Sequence, residues 1–252
     1  MYAIEAQNVT KIIRGRTILN NVSLCVEQGE AVGIAGRNGS GKSMFFKTVC
    51  GLILPTSGSV SVFGTAVGKN GKFAPDTGML IEAPGFLPQY SGYANLKMLA
   101  DIKGIVKKAD IYNVLQTVGL DPADRRPVRK YSLGMKQRLG IAQAIMEKPR
   151  LLIMDEPFNG LDASGVEDVR QLLSSLVKEG TTMLLASHNA QDLSLLCGRI
   201  CTMEAGVLTL PQPEDEKQAQ EKSASAAPDT ADEVRAEAAP DTADEARNGE
   251  EK

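Results

Sequence analysis

Apolar residues recur along residues 1–210 in two patterns, a two-residue alternation typical of strands and a three-to-four-residue spacing typical of helices. The helical spacing predicts helices at 42–51 and 163–178, and helix-like segments also fill residues 88–148. Because strands alternate with helices, we expect an α/β fold with an open, mainly parallel sheet and an inserted helical subdomain at about 88–148. The predicted strands lie at 2–9, 17–26, 30–36, 58–64, 77–82, 151–155 and 181–187, and a final hairpin lies at 199–210.

The composition changes after residue 210. Residues 211–252 contain 13 Asp and Glu against 5 Lys and Arg, a net charge of −8, so residues 1–210 carry +5 of the overall −3. Large apolar side chains are almost absent from this tail, and AAPDTADE occurs twice in it, at 226–233 and 238–245. We therefore expect residues 1–210 to form the folded domain and residues 211–252 an acidic, low-complexity, disordered tail. A low-complexity duplication is the simpler interpretation of the repeat, and a docking tail is the alternative.

Several classes of protein are excluded at this stage. No stretch is long and apolar enough to span a bilayer, and the N-terminal residues lack the pattern of a secretory signal. The four cysteines form no CxxC pair, which favours buried free thiols in a reducing cytosol over a zinc site.

The segment GRNGSGKS at 36–43 carries the most specific motif of the chain. It fits the pattern G-x-x-x-x-G-K-[ST] between a predicted strand and a predicted helix, which defines a phosphate-binding loop. We expect Lys42 to contact the β- and γ-phosphates of a bound nucleotide and the Ser43 hydroxyl to ligate Mg²⁺. The phosphates are then surrounded by the backbone N–H groups of the loop residues, Gly36, Arg37, Asn38, Gly39, Ser40 and Gly41.

A second motif, LLIMDEP at 151–157, describes a buried strand that ends in two carboxylates. Open α/β sheets bind ligands at this end of their strands. Asp155 is therefore predicted to hold the same Mg²⁺ as Ser43, and Glu156 to polarise the water that attacks the γ-phosphate.

Together with the segments around them, these motifs resemble the ATP-binding subunit of ABC transporters, over about residues 1–210. The resemblance implies a P-loop core with a mainly parallel sheet, an antiparallel β subdomain and an inserted α-helical subdomain. It also implies ATP and Mg²⁺ as ligands, and hydrolysis of ATP coupled to transport.

Three further segments carry the resemblance. YSLGMKQRLGIAQAI at 131–145 is similar to the family's signature sequence, which implies that Ser132 and Gly134 face the ATP held by the opposite subunit. FNGLDA at 158–163 is similar to the D-loop, with Asp162 at its acidic position in contact with the partner. ASHN at 186–189 puts His188, the one histidine of the chain, where the family has its switch histidine, near the γ-phosphate.

Three positions depart from the common family pattern. Glu82 stands where the nucleotide-sensing loop normally has glutamine, and we expect its carboxylate to ligate Mg²⁺ or orient water. The signature reads SLGM, with Leu133 and Met135 in place of a small and a polar residue. The aromatic residue that usually stacks on adenine falls near Ile13, so an aliphatic contact or a neighbouring residue replaces it.

The first two departures resemble the branch of bacterial ABC exporters associated with resistance to bacitracin-type and lantibiotic peptides. The resemblance implies that two copies of the chain, or this chain and a similar one, form a head-to-tail dimer around ATP. It also implies a separate membrane permease and a location on the cytoplasmic face of the cell membrane. Residues 83–100 are the candidate coupling surface for the permease, because Phe86, Leu87, Tyr90 and Tyr93 offer apolar contact area. Internal packing of these side chains is the alternative.

Two other functions are weighed against the transporter. A soluble ABC ATPase acting on ribosomes or DNA is disfavoured, because the chain has one cassette and no concentrated basic stripe, and we expect no nucleic-acid partner. A regulatory subunit that binds ATP without hydrolysing it is disfavoured by the presence of Lys42, Asp155, Glu156 and His188.

Overall fold

The computed structural model describes residues 1–68 and 71–211, and the tail predicted at 211–252 lies, after Pro211, outside the described residues. The strands are β1 (Tyr2–Ile13), β2 (Arg16–Glu27), β3 (Ala31–Ala35), β4 (Ser57–Val62), β5 (Thr65–Ala66), β6 (Thr77–Leu80), β7 (Leu151–Asp155), β8 (Thr182–Ser187), β9 (Arg199–Glu204) and β10 (Val207–Thr209). The α-helices are α1 (Lys42–Val49), α2 (Gly92–Lys103), α3 (Lys108–Thr117), α4 (Leu133–Ile145), α5 (Ala163–Lys178) and α6 (Ala190–Leu196). The α/β class is confirmed.

The strands form two sheets of different kinds. One is antiparallel with the order β2-β1-β4-β5. The other has the order β10-β9-β3-β8-β7-β6, and all its pairs are parallel except the β9–β10 hairpin. The carboxyl ends of β3, β7 and β8 therefore meet at one edge of this second sheet, and the residues that follow them lie close together.

The parallel sheet separates two hydrophobic cores. In β7, Leu151 and Ile153 face a core shared with the antiparallel sheet and α1, whereas Leu152 and Met154 face a core shared with the remaining helices. All five residues of β7 are buried. A strand covered on both faces is a continuous apolar run, which is why LLIM reads as a buried strand in the sequence.

The helical segment between β6 and β7 contains α2, α3, α4 and a short 3-10 helix at Val128–Lys130. α2 begins at its N-cap Ser91, whose hydroxyl accepts a hydrogen bond from the Ala94 N–H at 3.2 Å, and ends at Gly104 in a left-handed conformation. α4 is the last helix of the segment, and its C-terminal end leads into the start of β7. The N-terminal end of α4 therefore lies close to the carboxyl end of β7.

The structure corrects some details. β1 and β2 are longer than predicted, and Arg14 and Gly15 form the turn between them, whereas Arg16 already belongs to β2. The two-residue strand β5 was not predicted. All four cysteines are free, but Cys25 is exposed, so the prediction of a buried thiol is wrong there. Within the described ranges, no helix is both long and apolar enough to cross a membrane.

Candidate functional site

The phosphate loop connects β3 to α1 and depends on glycine at two positions. Gly41 caps α1 with φ +115°, a conformation that side chains with a Cβ rarely adopt. At Gly36, a Cβ atom would lie 2.4 Å from the carbonyl oxygen of Met203. The loop is also held by the Gly206 N–H, which donates to the carbonyl oxygen of Ser40 at 2.8 Å. The β9–β10 hairpin therefore fixes the loop from behind.

Lys42 holds its charge inside the loop. Its side chain is only 5% exposed, and its Nζ donates to the carbonyl oxygens of Gly36 at 2.6 Å and Arg37 at 3.3 Å. The same Nζ lies 3.9 Å from Oε1 of Glu156. Two of the partners of this buried ammonium are neutral carbonyls, and the carboxylate oxygen is 3.9 Å away. Negatively charged phosphate oxygens would bind the ammonium more strongly than these groups do, so the site is suited to an anionic ligand.

Asp155 ends β7 directly opposite the start of α1. The hydroxyl of Ser43 donates to its Oδ2 at 2.5 Å. Burial raises the pKa of the Asp155 carboxyl, and the hydrogen bond from Ser43 opposes that increase. A hydroxyl and a buried carboxylate are hard oxygen ligands of the kind Mg²⁺ takes, and a cation favours the charged form of the carboxylate against the cost of its burial. The donor set therefore fits Mg²⁺.

Glu156 is held in an unusual backbone conformation. Its φ is +50°, in the left-handed region that is costly for a residue with a side chain. Its N–H donates to the Ala186 carbonyl oxygen at 2.9 Å, and its own carbonyl oxygen accepts from Nε2 of Gln137 at 3.2 Å. His188 Nδ1 lies 2.8 Å from Oε2 of Glu156. The carboxylate is thus fixed between an imidazole on one side and Lys42 on the other.

Two buried polar atoms at this site have no hydrogen-bond partner among the described residues. They are Oγ of Ser40 and Oε1 of Glu156. Folded proteins leave few buried polar atoms unpaired. Both residues line the same cavity, so the orphaned atoms mark positions that a polar ligand or a bound water satisfies.

A cavity of about 510 Å³ lies between the phosphate loop, β7 and the start of α4. Its volume lies in the range of small-molecule sites. Its lining includes the predicted residues Arg37, Asn38, Gly39, Ser40, Gly41, Lys42, Ser43, Glu82, Asp155 and Glu156. Sequence reasoning missed the other lining residues, which are Ile18, Met44, Ala83, Leu133, Gln137 and Asn159. Five predicted residues do not line the cavity: Gly36, Ser132, Gly134, Asp162 and His188.

Glu82 contacts a partner that the sequence does not reveal. Its Oε1 lies 2.6 Å from Nζ of Lys47 on α1, and its side chain is 61% exposed. The backbone of Glu82 also has a positive φ, +60°. Glu82 therefore borders the cavity but is ion-paired with α1, and ligation of Mg²⁺ by its carboxylate stays a prediction.

Ser132 and Asp162 each begin a helix. The Ser132 hydroxyl accepts a hydrogen bond from the Met135 N–H at 3.1 Å, at the start of α4. Asp162 Oδ1 accepts from the Gly165 N–H at 3.0 Å, at the start of α5. Both are good N-caps, which accounts for the residue types locally. Their contact with a nucleotide on a second subunit stays a prediction.

The structure gives a physical reason for Leu133 in the signature segment. Its side chain is 68% exposed and lies over Gly160 of the D-loop, where a Cβ atom would be 2.5 Å from Cγ of Leu133. At Gly134 a Cβ atom would be 2.9 Å from the carbonyl oxygen of Gly160. The larger signature residue is therefore accommodated by a D-loop residue that has no side chain.

This fit predicts an energetic coupling between the two positions. Gly160 has φ +77°, so Gly160→Ala is expected to cost about 1 kcal/mol in backbone strain and about another 1 kcal/mol from the clash with Leu133. In a Leu133→Gly background, only the strain remains. Urea unfolding of the four proteins of this cycle measures the coupling. Additive effects on the free energy of unfolding would contradict the proposed contact.

The residue near which the adenine contact is predicted, Ile13, does not line the cavity. Ile13 lies at the end of β1 and is 38% exposed, whereas Ile18 on β2 lines the cavity. Which residue contacts adenine stays a prediction.

Comparison with known proteins gives consistent results. A family model described as ABC transporter matches residues 19–159. The bacitracin transport ATP-binding protein BcrA of Enterococcus faecalis is 43% identical over 209 residues, which cover 82% of this chain and 68% of the relative. The lantibiotic transport ATP-binding protein SrtF of Streptococcus pyogenes is 37% identical over 212 residues, or 84% of this chain and 91% of the relative. Among solved structures, the dimeric bacterial ABC transporter cassette MJ0796 has a TM-score of 0.74 at 25% identity, covering 81% of this chain and 96% of that one.

Proposed function

Because the chain belongs to the ABC transporter family as an ATP-binding, ATP-hydrolysing subunit, we propose that it powers a separate membrane permease that exports antimicrobial peptides. Other amphipathic compounds are included in the proposed cargo. The family is the premise, and the names of the two relatives support this class of cargo. On this proposal the subunit works at the cytoplasmic face of the cell membrane.

The single observation that carries the ATPase part of the proposal is the environment of Glu156. One carboxylate oxygen is paired with His188, the other is buried without a hydrogen bond, and both lie beside the phosphate loop. A carboxylate held in this way is suited to orient a water molecule and to accept its proton. We propose that Ser43 and Asp155 hold Mg²⁺, with Glu82 close by, and that the ion when bound neutralises charge on the β- and γ-phosphates.

The site in one chain is incomplete on this proposal. Ser132 and Gly134 do not line the cavity that contains the phosphate loop, and the start of α4 is exposed. We propose that a second copy, or a similar subunit, docks head-to-tail and brings these residues to the γ-phosphate. Helix N-termini and hydroxyl groups bind anionic oxygens, so ATP stabilises the closed pair more than ADP does. Hydrolysis then reopens it.

The coupling surface for the permease is supported by two exposed apolar side chains. Leu87 and Tyr90 are 44% and 45% exposed, whereas Phe86 and Tyr93 pack against the core. Asn95 fixes this segment, because it accepts from the Leu87 N–H at 2.8 Å and donates to the Leu87 carbonyl oxygen at 3.2 Å. We propose Leu87 and Tyr90 as the contact and assign the other two to internal packing.

The proposal is tested by substituting the contact residue. Leu87→Asp is expected to weaken binding to the permease about 30-fold, because a charge is then buried in an apolar contact at a cost of about 2 kcal/mol. The ATPase rate of the isolated subunit is expected to stay within twofold. The matched control is Ile102→Asp, a more exposed apolar residue of α2, at 77%. Co-purification with a co-expressed membrane permease, and growth in bacitracin or lantibiotic, provide the measurements. Equal effects of the two variants would contradict the coupling surface.

A further inference from the structure

The charge of the chain is distributed unevenly between two segments. The helical segment 88–148 contains 11 Lys and Arg against 5 Asp and Glu, a net charge of +6. Residues 211–252 carry −8. The rest of the folded domain is therefore close to neutral. One part of the chain is strongly basic and another is strongly acidic.

Four basic side chains of the helical segment lie close together in the sequence and are exposed. We call Arg125, Arg126, Arg129 and Lys130 the basic segment. Arg126 is paired with Asp124, at 2.9 Å. Among the residues that the structure describes, the other three form no ion pair, so most of this charge is uncompensated.

The basic segment is attached to the proposed coupling surface. The Val128 N–H donates to the Tyr90 carbonyl oxygen at 2.8 Å, and the Arg129 N–H donates to the Pro88 carbonyl oxygen at 3.0 Å. The backbone at 128–129 is therefore hydrogen-bonded to the loop that carries Leu87 and Tyr90. A segment that binds the charges of the basic segment is held close to the apolar contact.

The acidic part of the chain is long enough to reach this surface. The first AAPDTADE copy starts at residue 226, 15 residues after Pro211. A fully extended chain of that length spans about 50 Å. A domain of this size has a radius of gyration of about 17 Å. The first acidic copy can thus reach points well over a domain radius from Pro211. The second copy, at 238–245, starts 27 residues after Pro211, an extended length of about 90 Å, and provides a second ligand for the same charges.

We propose that the acidic segment 212–252 binds the basic segment of its own chain and competes there with the permease. The two AAPDTADE copies supply the carboxylates, and Arg125, Arg129 and Lys130 supply the cations. The intramolecular contact is independent of the transporter assignment. Competition with the permease rests on the proposed function. If it occurs, docking of the subunit to the permease depends on the salt concentration and on any cation or ligand that neutralises or displaces the acidic segment.

The contact is tested in the full chain with a zero-length carbodiimide, which joins a carboxylate to a neighbouring lysine amine. We expect mass spectrometry to find Lys130 joined to carboxylates of 226–245 at 0.1 M salt. The yield is expected to fall at least fivefold at 1 M salt, where the Debye length shrinks from about 10 Å to about 3 Å. Lys148 is the matched control, since it is also exposed but lies beyond the other end of α4, whose 13 residues span about 20 Å.

Charge variants identify the partners. Arg125→Glu combined with Arg129→Glu is expected to lower the Lys130 yield at least fivefold, and Lys107→Glu combined with Lys108→Glu, elsewhere on the same segment, is expected to leave it unchanged. All these side chains are exposed, so the variants are expected to unfold at the same temperature as the parent. Equal yields at Lys130 and Lys148, or yields insensitive to salt and to the Arg125 and Arg129 variant, would overturn the proposal.

Other occupants of the basic segment are distinguished in the same assay. Absence of the Lys130 link at 0.1 M salt, together with binding of phosphatidylglycerol vesicles or of RNA that the Arg125 and Arg129 variant loses, would overturn the proposal in favour of a lipid or nucleic-acid partner. Competition is tested separately with the variant Asp229→Asn, Asp232→Asn, Asp241→Asn and Asp244→Asn. We expect it to bind permease-containing membranes about fivefold more tightly at 0.1 M salt. A formed link with unchanged membrane binding would retain the contact and overturn the competition alone.

Discussion

Replacement of Glu156 by glutamine is expected to slow ATP hydrolysis about 10³-fold and to leave ATP binding within about threefold of the parent. Glutamine keeps the size of the side chain but cannot accept a proton from water, and a positioned general base contributes factors of this order. The main-chain N–H of Glu156 donates to the Ala186 carbonyl oxygen, and its carbonyl oxygen accepts from the side-chain amide of Gln137, so these bonds do not depend on the Glu156 side chain. Phosphate release at saturating ATP and nucleotide titration by fluorescence measure the two effects.

Two further variants define the role of this carboxylate. His188→Ala is expected to cost about 30-fold, less than the loss of Glu156, because the imidazole contacts Oε2 from an exposed position and orients the carboxylate without replacing it. Glu179→Gln, at an exposed carboxylate after α5, is the matched control and is expected to be silent. Hydrolysis by Glu156→Gln within tenfold of the parent would remove Glu156 from the role of base.

The same variant tests the proposed dimer. If the partner's Ser132 and Gly134 complete the site around ATP, a subunit that binds but does not hydrolyse ATP accumulates as a dimer with Mg²⁺ and ATP, and stays monomeric with ADP. Light scattering after gel filtration measures the mass directly. A Glu156→Gln protein that binds ATP at millimolar nucleotide and stays monomeric would contradict the head-to-tail arrangement.

The sequence predicts those parts of the site that are fixed locally. The phosphate loop, the strand before it and the helix after it are contiguous, and the chemistry of Lys42 and Ser43 follows from their spacing in one motif. The sequence predicts that Ser43 and Asp155 share one Mg²⁺, and the structure places the two side chains in hydrogen-bond contact. They meet because the loop after β3 leads into α1, where Ser43 lies, and Asp155 ends β7 at the same edge of the parallel sheet. Periodicity also gave the order of strands and helices, since each element buries one face or two.

The sequence does not predict contacts between segments that are distant along the chain. The Lys47–Glu82 ion pair joins residues on α1 and after β6, and no local pattern marks either of them as a partner of the other. Leu133 on α4 packs over Gly160 in the D-loop. The sequence shows that leucine is unusual at this signature position, but it does not show that Gly160 makes room for it. Such pairs depend on how packed elements are oriented, which periodicity does not determine.

Lys42→Ala is expected to weaken ATP binding about 100-fold, a loss of about 2.7 kcal/mol. Lys42 is the one buried cation among the described residues that line the cavity, with a side chain that is 5% exposed. Hydrogen bonds to charged groups contribute about 1.5–3 kcal/mol each. Lys178→Ala, at an exposed lysine at the end of α5, is the matched control. Nucleotide titration at constant ionic strength separates the lost contact from general screening.

Restoring the positive charge is not expected to restore binding. Lys42→Arg places a wide planar guanidinium where the Gly36 and Arg37 carbonyl oxygens surround a compact ammonium at 2.6 and 3.3 Å, so it is expected to bind ATP no more than threefold better than Lys42→Ala. Equal binding by Lys42→Arg and the parent would mean that charge alone suffices and that the shape of the loop around Nζ does not matter. Parental affinity in Lys42→Ala would contradict the phosphate-binding assignment of residues 36–43, because the loop offers the triphosphate no other buried cation among the residues that the structure describes.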